Sequence, residues 1–530
     1  MSKKRVFSLV ANAGTNDARV MKQARALVEG GYDVTLYGGT VKGFPQKEVV
    51  DGIKIHRFDC YNTEGVTLEE LLEVAIFVPH VMPTIKERAH SVLVGKPRID
   101  VISGLLRTVK LEVAETAKQA KKVSTDVGSQ EGSDGSTLAP TLRSWWKRWR
   151  RLARSTMAGV GAGLTSKEEL QKTRLAARDA KQALNAAKRK RAVVAEIDAE
   201  FRAMYDWKND IYFLRHALFA VNFLRLKFEF DPDFIHCHDL YPVIAGAAIA
   251  GRTGAKLIFD AHEIETERVP PLPPEKKAFI DTMERDLFVN TDHIVTCCQS
   301  SSEFYRERFI KRLPTVVMNA PEIAPAINES AELDIRQQAN IPTGAPVIIY
   351  TGGVGREARG LHLVAAALSY LPDHHLVIMG PRHPKNDPWL LEEAEKHGVS
   401  PRVHLLPSVP AEQVVAAIRS ANVGVCPIQD VTLSYRYAMP NKLFELTFAE
   451  IPVCVSNLPE MARFVRELGI GVVMDETDPR SIADAILEAC QNPDKFHLSE
   501  EGRVLLQTKY SWSRQKESLF KTYEEVTSNV

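Results

Sequence analysis

The segment at 440–455, PNKLFELTFAEIPVCV, combines a proline-led helix pattern with polar residues on one face. Asn441 and Glu445 are four residues apart, so they share a helical face near the N-terminus. The unpaired N–H groups of a helix N-terminus attract phosphate, and a carboxylate one turn further accepts two hydrogen bonds from a sugar diol. This pattern predicts a nucleotide-sugar site. The alternative is an ordinary amphipathic helix that carries a surface glutamate.

A glycine-rich turn, TGGVGREARGL at 351–361, follows the apolar strand predicted over 346–350. Glycine lets the backbone approach a diphosphate, and the guanidinium of Arg359 suits pairing with it. Arg356 is a second candidate for this role. A glycine-rich turn with an arginine is a weak signal when it stands alone.

In the first half of the chain, polar residues follow two predicted strands. The segment DFIHCHDL contains His238, and FDAHEI contains Asp260 and Glu263. Ligands bind at the carboxyl ends of parallel strands in open α/β sheets. Two histidine–acid clusters at successive strand ends therefore favour a cleft site over isolated loop histidines.

The motif P-N-K-L-F-E followed by A-E-I-P-V resembles the donor-site motif of the GT-B glycosyltransferases, in particular the large retaining family 4 group. The resemblance implies that Glu445 binds the ribose hydroxyls of a nucleotide sugar. It also implies that His238 lies at the donor sugar, beside Arg359 and Lys442 as the other catalytic residues. The residues predicted to bind the donor are Gly353, Arg356, Arg359, Val409, Asn441, Lys442, Leu443 and Glu445.

Two positions depart from the family pattern. Many members carry a second glutamate where this chain has Tyr437, which affects sugar recognition more than nucleotide binding. Many also have glycine where this chain has Glu450. A residue other than glycine costs about 1 kcal/mol in a left-handed helix cap, so the helix is expected to end differently here.

The opening segment, from the strand at 5–10 to the strand at 33–37, resembles the amino-terminal domain of the same family. Asp17 is predicted to cap the intervening helix. Two positions stay open for Arg19, which either faces the cleft or is solvated. The predicted fold is α/β, with two Rossmann-like domains facing a cleft and a long helical insert in the first. The predicted divisions are 1–61 with 226–322 (acceptor domain), 62–225 (insert), 323–508 (nucleotide-sugar domain) and 509–530 (a helix crossing back to the first domain).

The insert contains a low-complexity segment at 123–140 that is predicted to be a mobile loop. The next segment, 141–155, holds Trp145, Trp146 and Trp149 among six basic residues and no acidic one. Indoles and cations together suit the surface of an anionic membrane. The alternatives are internal packing of the tryptophans and RNA binding, although no RNA-binding motif accompanies them.

Composition and charge limit the classes of protein to which the chain can belong. The 530 residues are 45% hydrophobic and 25% charged, with a net charge of +1, which is typical of a globular protein without whole-chain affinity for nucleic acid. The seven cysteines lack metal-ligand spacing and are predicted to be reduced. No signal peptide or membrane span is predicted, so the expected location is cytoplasmic, peripheral at the inner membrane face.

The predicted function is retaining transfer of a sugar from a nucleotide diphosphate sugar to a glycan or lipid-linked acceptor, in cell-surface polysaccharide synthesis. No cofactor and no metal are expected beyond the donor substrate. The alternatives are a nucleotide-sugar epimerase or hydrolase on the same fold, and a degenerate transferase that serves as a binding or scaffolding subunit.

Overall fold

Contacts divide the chain into two compact units, one of Met1–Glu87 with Phe213–Val530 and the other of Arg88–Tyr212. The structure is a computed structural model, and the residues it describes are 3–15, 17–128, 167–204, 206–309, 313–320, 334–410 and 413–528.

The first sheet belongs to the larger unit. It is built from β1 (Arg5–Leu9), β2 (Asp33–Gly39), β3 (Lys47–Val50), β4 (Ile53–Phe58), β5 (Phe234–His238), β6 (Lys256–Ala261), β7 (His293–Thr296) and β8 (Thr315–Val316). The strand order is β3-β4-β2-β1-β5-β6-β7-β8, with β3 antiparallel to β4 and the other described pairs parallel. Because β1 has β2 on one side and β5 on the other, the topological switch point lies between β1 and β5.

The second sheet belongs to the same unit and is parallel throughout its described pairs. Its strands are β9 (Val347–Thr351), β10 (His375–Met379), β11 (Val403–Leu406), β12 (Val423–Cys426), β13 (Val453–Ser456) and β14 (Gly471–Met474). The order β11-β10-β9-β12-β13-β14 places the switch point between β9 and β12. The predicted α/β class with two parallel-sheet domains is therefore confirmed.

Helices connect the strands and cover both faces of each sheet, as parallel strands require. Those of the first half are α1 (Ala18–Glu29), α2 (Leu68–Ala75), α3 (Met82–His90), α4 (Lys96–Gly128), α5 (Lys167–Met204), α6 (Trp207–Leu224), α7 (Val243–Thr253), α8 (Pro274–Val289) and α9 (Gln299–Phe309). Those of the second half are α10 (Ile335–Gln338), α11 (Leu361–Ala367), α12 (Asn386–Lys396), α13 (Val414–Ile418), α14 (Leu433–Arg436), α15 (Asn441–Phe448), α16 (Pro459–Leu468), α17 (Pro479–Gln491), α18 (Glu500–Leu505) and α19 (Trp512–Ser528).

The C-terminal helix α19 packs on the first sheet although it follows the second sheet in sequence. Trp512, Leu519 and Tyr523 are buried in one core with Val6 and Phe234 of β1 and β5. This packing brings the hydroxyl of Tyr523 to 2.8 Å from Nδ1 of His236. His236 lies two residues before His238, the last residue of β5.

The smaller unit is built mainly from the long helices α4 and α5, which run antiparallel. Ser103 Oγ donates to Asp198 Oδ1 at 3.2 Å, and Lys190 Nζ lies 2.7 Å from Glu112 Oε2. The predicted loop at 123–140 falls largely outside the described residues, and the tryptophan-rich segment at 141–155 falls entirely outside them. Within the described part of the chain, no helix is long and apolar enough to cross a membrane.

Helix ends confirm one expectation and correct two. Asp17 caps α1, because its carboxylate accepts from the backbone N–H groups of Arg19 and Val20. Pro440, predicted in the first turn of its helix, is instead the extended residue before α15. The expectation that α15 ends without a left-handed residue is wrong, because Glu450 adopts the left-handed conformation at φ 58° although it is not glycine.

The strain at Glu450 gives a test in two variants. Its carboxylate pairs with Arg503, but both side chains are exposed, so the pair contributes less than about 1 kcal/mol. Glu450→Ala removes the pair and keeps the strain, whereas Glu450→Gly removes both. We expect the glycine variant to exceed the alanine variant by about 1 kcal/mol in free energy of unfolding, measured by urea denaturation. Equal stability would mean that the left-handed residue is not strained.

Candidate functional site

The N-terminus of α15 lies at the carboxyl edge of the second sheet. Pro440 precedes it in an extended conformation, and a proline side chain has no atom that accepts from the first amides. Leu443, Phe444 and Leu446 are fully buried and anchor the helix in the core beneath the sheet. The start of the helix is therefore held rigidly. The amide of Leu443 already donates to the carbonyl of Pro440 at 3.0 Å, so the amides that suit an anion are those of Asn441 and Lys442.

Glu445 is fixed from the end of β9. Thr351 Oγ1 donates to Glu445 Oε2 at 2.9 Å, which leaves Oε1 for another donor. Burial raises the pKa of Glu445, although Thr351 and Lys442 both oppose that shift by stabilising the carboxylate. The result is a half-buried carboxylate in a fixed orientation one helical turn from the α15 N-terminus.

Lys442 is buried, with only 8% of its surface exposed. Its Nζ lies 3.7 Å from the centroid of the Tyr350 ring, in a cation–π contact. Within the described part of the chain, Nζ has no hydrogen-bond acceptor. A buried ammonium without an acceptor is costly, which marks this position as one that an anion completes.

The glycine-rich turn after β9 brings the backbone close to this lysine. Gly352 has φ 128°, and its amide donates to the carbonyl of Met379 at 2.8 Å. A side chain at Gly380 would place its Cβ 2.3 Å from the carbonyl oxygen of Gly352, and one at Gly360 would lie 2.2 Å from that of Pro427. The turn can therefore approach the ends of β10 and β12 only because these positions are glycine.

The two basic residues predicted to bind the donor from this turn differ in burial and in direction. Arg359 is half-buried beside Gly355 and forms no hydrogen bond or ion pair with the described residues. Burial raises the pKa of the Cys426 thiol to about 11, while Lys442 and Arg359 oppose the rise, which places both cations near the end of β12. Arg356 is exposed and turned toward α12, where its guanidinium donates to the carbonyl of Lys385.

The other predicted donor residues lie around the same edge. Gly353 packs against Pro381 after β10, and Val409 is half-buried in the turn after β11. Asn441 is exposed at the start of α15, whereas Leu443 is buried. The side chains of Lys442, Glu445 and Arg359 thus gather at the end of β9 and β12, while Arg356 faces away from them.

A second polar cluster lies at the carboxyl edge of the first sheet. Asp260, at 0% exposure on β6, accepts from Arg19 Nη2 at 2.6 Å, Arg19 Nε at 3.0 Å and Gln23 Nε2 at 2.8 Å. Arg19 also donates to the carbonyl of Val317. Arg19 is therefore not solvated, which excludes one of the two positions left open by the sequence and places its guanidinium against the carboxyl edge of the first sheet. Burial would raise the pKa of Asp260, but Arg19 and His262 hold it well below its usual range.

His238 lies at the end of β5 within this cluster, and it is 1% exposed. Its Nε2 is 3.1 Å from Ser8 Oγ, and its Nδ1 is 3.3 Å from both His262 Nε2 and Asp260 Oδ2. Burial and the neighbouring His236 lower the pKa of His238 to about 3, so its imidazole is neutral.

His262 is the more accessible histidine of this cluster. Burial would lower its pKa, but the carboxylates of Asp239 and Asp260 outweigh that effect and raise it to about 9. At neutral pH the cluster therefore holds a cationic His262 beside a neutral His238. Asp239, 3.6 Å from His262, is one of the few non-glycine residues with a left-handed backbone, at φ 62°.

The same cluster has the spacing of a metal site. His236, His238 and Asp260 each offer a ligand atom within 4.8 Å of the others. Both oxygens of Asp260 already accept hydrogen bonds from Arg19, so the guanidinium already balances the charge of this carboxylate. The donor set therefore fits an arginine–carboxylate pair better than a metal.

Hydrogen bonds at Ile264, Cys298 and Ser300 are among the contacts that join the domains of the first and second sheets in the described part of the chain. The backbone N–H of Ile264 donates to Ser434 Oγ, and Ser434 Oγ donates back to the carbonyl of Ile264, both at 3.0 Å. The thiol of Cys298 donates to the carbonyl of Tyr437 at 3.2 Å. Glu460 of α16 accepts from the backbone N–H of Ser300 at 2.8 Å, so it neutralises the start of α9 from the other domain.

Several residues of these sites were missed by sequence reasoning. Tyr350 and Thr351 read as ordinary strand residues, and Ser8 as an interior position of β1. The end of a strand before a glycine-rich turn was the available signal for the first two. Arg19 was a candidate for the cleft, but its partner could not be predicted, because Asp260 is 241 residues away in sequence.

Comparison with known families finds a match for two stretches of the chain, one around each sheet. Residues 332–503 match the family model described as glycosyl transferases group 1, and residues 202–320 match that of the glycosyl transferase 4-like domain.

The chain is similar to two proteins named D-inositol 3-phosphate glycosyltransferase. With that of Corynebacterium urealyticum it is 25% identical over 45% of this chain and 56% of the relative, so it spans little more than half of that protein. With that of Thermobispora bispora it is 24% identical over 59% of this chain and 76% of the relative.

Two solved structures are similar over the whole of both chains, and their low identity makes them evidence of fold alone. They are sucrose-phosphate synthase from Thermosynechococcus elongatus, with a TM-score of 0.59 at 13% identity, and a glycosyltransferase from Rickettsia africae, with a TM-score of 0.56 at 10% identity.

The buried pair of Arg19 and Asp260 predicts a large effect on stability. Removal of one partner leaves an uncompensated buried charge, which costs about 3–5 kcal/mol. We expect Arg19→Met to lower the free energy of unfolding by about this amount. The matched control on the same helix is Arg25→Met, which removes an exposed pair with Asp51 and should cost less than about 1 kcal/mol. Urea denaturation measures both, and equal losses would contradict a structural role for the buried pair.

Proposed function

Because the chain belongs to the group 1 glycosyltransferases of the GT-B fold, we propose that it transfers a sugar from a nucleotide diphosphate sugar to a glycan or lipid-linked acceptor, in cell-surface polysaccharide synthesis. The observation that carries the proposal is the pair formed by Glu445 and Lys442 at the start of α15. One is a fixed carboxylate with a free oxygen, and the other is a buried ammonium without an acceptor. Side by side, these groups are complementary to a ribose diol and a diphosphate.

In this proposal the cations of the second domain stabilise the leaving group. As the bond between sugar and diphosphate breaks, negative charge accumulates on the phosphate oxygens. Lys442, the half-buried Arg359 and the first amides of α15 are arranged to receive that charge. Gly353 and Val409 would contact the donor through the backbone, and Asn441 through the amide at the start of the helix. Leu443 belongs to the same turn, where its amide donates to the carbonyl of Pro440 at 3.0 Å.

The first domain would supply the acceptor side. We propose that His238 orients donor and acceptor at the sugar, as the family resemblance implies, and that it acts together with His262, which lies between His238 and Asp239. Retention of the anomeric configuration and independence from metal ions and cofactors are part of the same proposal. Lys442 and Arg359 carry the positive charge that a metal ion supplies in other transferases.

Two other functions remain as alternatives on the same fold. An epimerase or hydrolase would use the same donor site without an acceptor. A degenerate transferase would bind nucleotide sugar and serve as a scaffold, and Tyr437, in the place of a family glutamate, favours this alternative.

One screen separates these functions. The purified chain is incubated with uridine, guanosine and adenosine diphosphate sugars, with and without glycan or lipid-linked acceptors. A transferase releases nucleoside diphosphate only when the acceptor is present, and a hydrolase releases it without acceptor. An epimerase changes the sugar without release. Binding without any turnover would reject the proposed transfer and identify a scaffold.

The expected cytoplasmic location is also a proposal, with the segment 141–155 bringing the chain to the anionic inner face of the membrane. Its support is the clustering of three tryptophans among six basic residues in a chain whose net charge is +1. A lipid-linked acceptor is available only at such a surface. Each cation near an anionic surface contributes about 1 kcal/mol, and the indoles add interfacial burial.

Glu445 gives the first prediction for the donor. Glu445→Ala removes two charge-assisted hydrogen bonds to the ribose, so the affinity for nucleoside diphosphate should fall by about 2–3 kcal/mol, or about 30- to 150-fold. Calorimetry with the ribose form and the 2′-deoxy form of the same nucleotide sharpens the test. The wild type should discriminate between them and the variant should not. Glu450→Ala, at the other end of α15, is the control, and an unchanged affinity in Glu445→Ala would remove Glu445 from the site.

The membrane proposal gives the second prediction. The wild type should float with anionic vesicles at low salt and should dissociate as salt is added, because its binding is largely electrostatic. The triple variant Trp145→Ala, Trp146→Ala and Trp149→Ala should lose flotation and keep calorimetric binding of nucleoside diphosphate. Neutral vesicles serve as the control. A wild type that stays in the soluble fraction with anionic vesicles would reject this role of the segment.

A further inference from the structure

Two buried polar atoms lie beneath the turn that follows β9, each within 3.5 Å of where a Cβ at Gly352 would be, and neither has a hydrogen-bond partner in the described part of the chain. They are the hydroxyl of Tyr350 and Nζ of Lys442. Tyr350 is 1% exposed and Lys442 is 8% exposed. Two buried hydrogen-bond donors without acceptors are expensive, so their survival beneath the same turn indicates a place that a bound group completes.

Gly352 determines how this place is covered. A Cβ at Gly352 would lie 3.4 Å from Lys442 Nζ and 3.5 Å from the Tyr350 hydroxyl, so its backbone passes directly over both atoms. Its φ of 128° is one that only glycine adopts readily. A side chain here would place a carbon atom in contact with both donors, whereas glycine covers them with backbone alone.

Two consecutive residues at the end of β9 each contact one residue of α15. Thr351 contacts Glu445 by a hydrogen bond of 2.9 Å, and Tyr350 contacts Lys442 by the cation–π contact of 3.7 Å. The first pair ends in a carboxylate, which suits a diol. The second pair offers an O–H and an ammonium without any acceptor, which suits an anionic oxygen.

We propose that the hydroxyl of Tyr350 and the ammonium of Lys442 together bind a phosphoryl group of the donor diphosphate. The ring of Tyr350 holds Lys442 in place before the donor arrives. This inference rests on the proposed function and adds Tyr350 as a phosphate-binding and lysine-positioning residue. It also explains the adjacency of the two pairs, since ribose and diphosphate are consecutive parts of one nucleotide.

The competing interpretation is that Tyr350 only fills the core. Its ring packs with Ile348 and Leu361 on the face of the second sheet that α11 and α17 cover. In that case its hydroxyl is dispensable, and loss of the hydroxyl would change no binding property. The two interpretations therefore differ in their response to a single oxygen atom.

Tyr350→Phe removes that oxygen and keeps the ring that holds Lys442. We expect affinity for nucleoside diphosphate to fall about 5- to 10-fold, with the affinity for the parent nucleoside unchanged. Lys442→Met should cause a larger loss for the diphosphate alone. Because both groups bind the same phosphoryl group, the loss in the double variant should be smaller than the product of the two single losses.

Calorimetry measures these affinities at fixed salt concentration, and thermal denaturation checks that each variant is folded. Tyr370→Phe, at an exposed tyrosine of the same domain, is the matched control and should bind as the wild type does. Tyr350→Leu removes the ring as well, so it should weaken diphosphate binding further than Tyr350→Phe. A Tyr350→Phe variant with wild-type affinity, beside a weakened Lys442→Met, would show that the lysine binds alone and would overturn the inference.

Failure of the proposed function has a different signature. If the wild type binds no nucleoside diphosphate of any base, the donor proposal fails, and inorganic pyrophosphate becomes the probe. Binding of pyrophosphate that Tyr350→Phe weakens would keep the two donors as an anion site. Absence of pyrophosphate binding, or binding that is equal in wild type and variant, would overturn the anion site too.

Discussion

The carboxylate of Asp260 ties together parts of the chain that are more than two hundred residues apart. It lies at the end of β6 without exposure and accepts three hydrogen bonds from Arg19 and Gln23 of α1. The same carboxylate lies within 4 Å of the imidazoles of His238 and His262. One buried charge thus fixes the first helix against the strand ends and lies beside both histidines.

That arrangement explains why two nearby histidines differ in charge. His238 is enclosed by Ser8, His236 and Asp260, and its burial outweighs the attraction of the carboxylate. His262 has a second carboxylate, Asp239, on its other side, which favours its cationic form. The neutral imidazole of His238 can accept a hydrogen bond, and the cationic imidazole of His262 can donate one. The same edge of the sheet therefore offers both roles with one type of residue.

The elements themselves could be predicted from sequence, because buried parallel strands are short apolar runs with polar ends. The strand predicted at 5–10 is found at Arg5–Leu9, and the strand predicted at 346–350 is found at Val347–Thr351. Motif chemistry also led to Lys442 and Glu445 in one short helix. The partners of these residues could not be predicted in the same way. Tyr350 belongs to a strand 92 residues before Lys442, and only the folded sheet shows that its ring lies under the ammonium.

The contacts between the two sheets' domains show why the chain tolerates its departure at Tyr437. The first domain holds this position through the main chain, since the thiol of Cys298 donates to the carbonyl of Tyr437 rather than to its side chain. Three residues earlier, Ser434 exchanges hydrogen bonds with both backbone groups of Ile264. The loop therefore keeps its place against the first domain whatever side chain stands at 437. Under the proposed function, a tyrosine in place of the family glutamate would therefore change the chemistry offered to the sugar and leave the backbone around the nucleotide site intact.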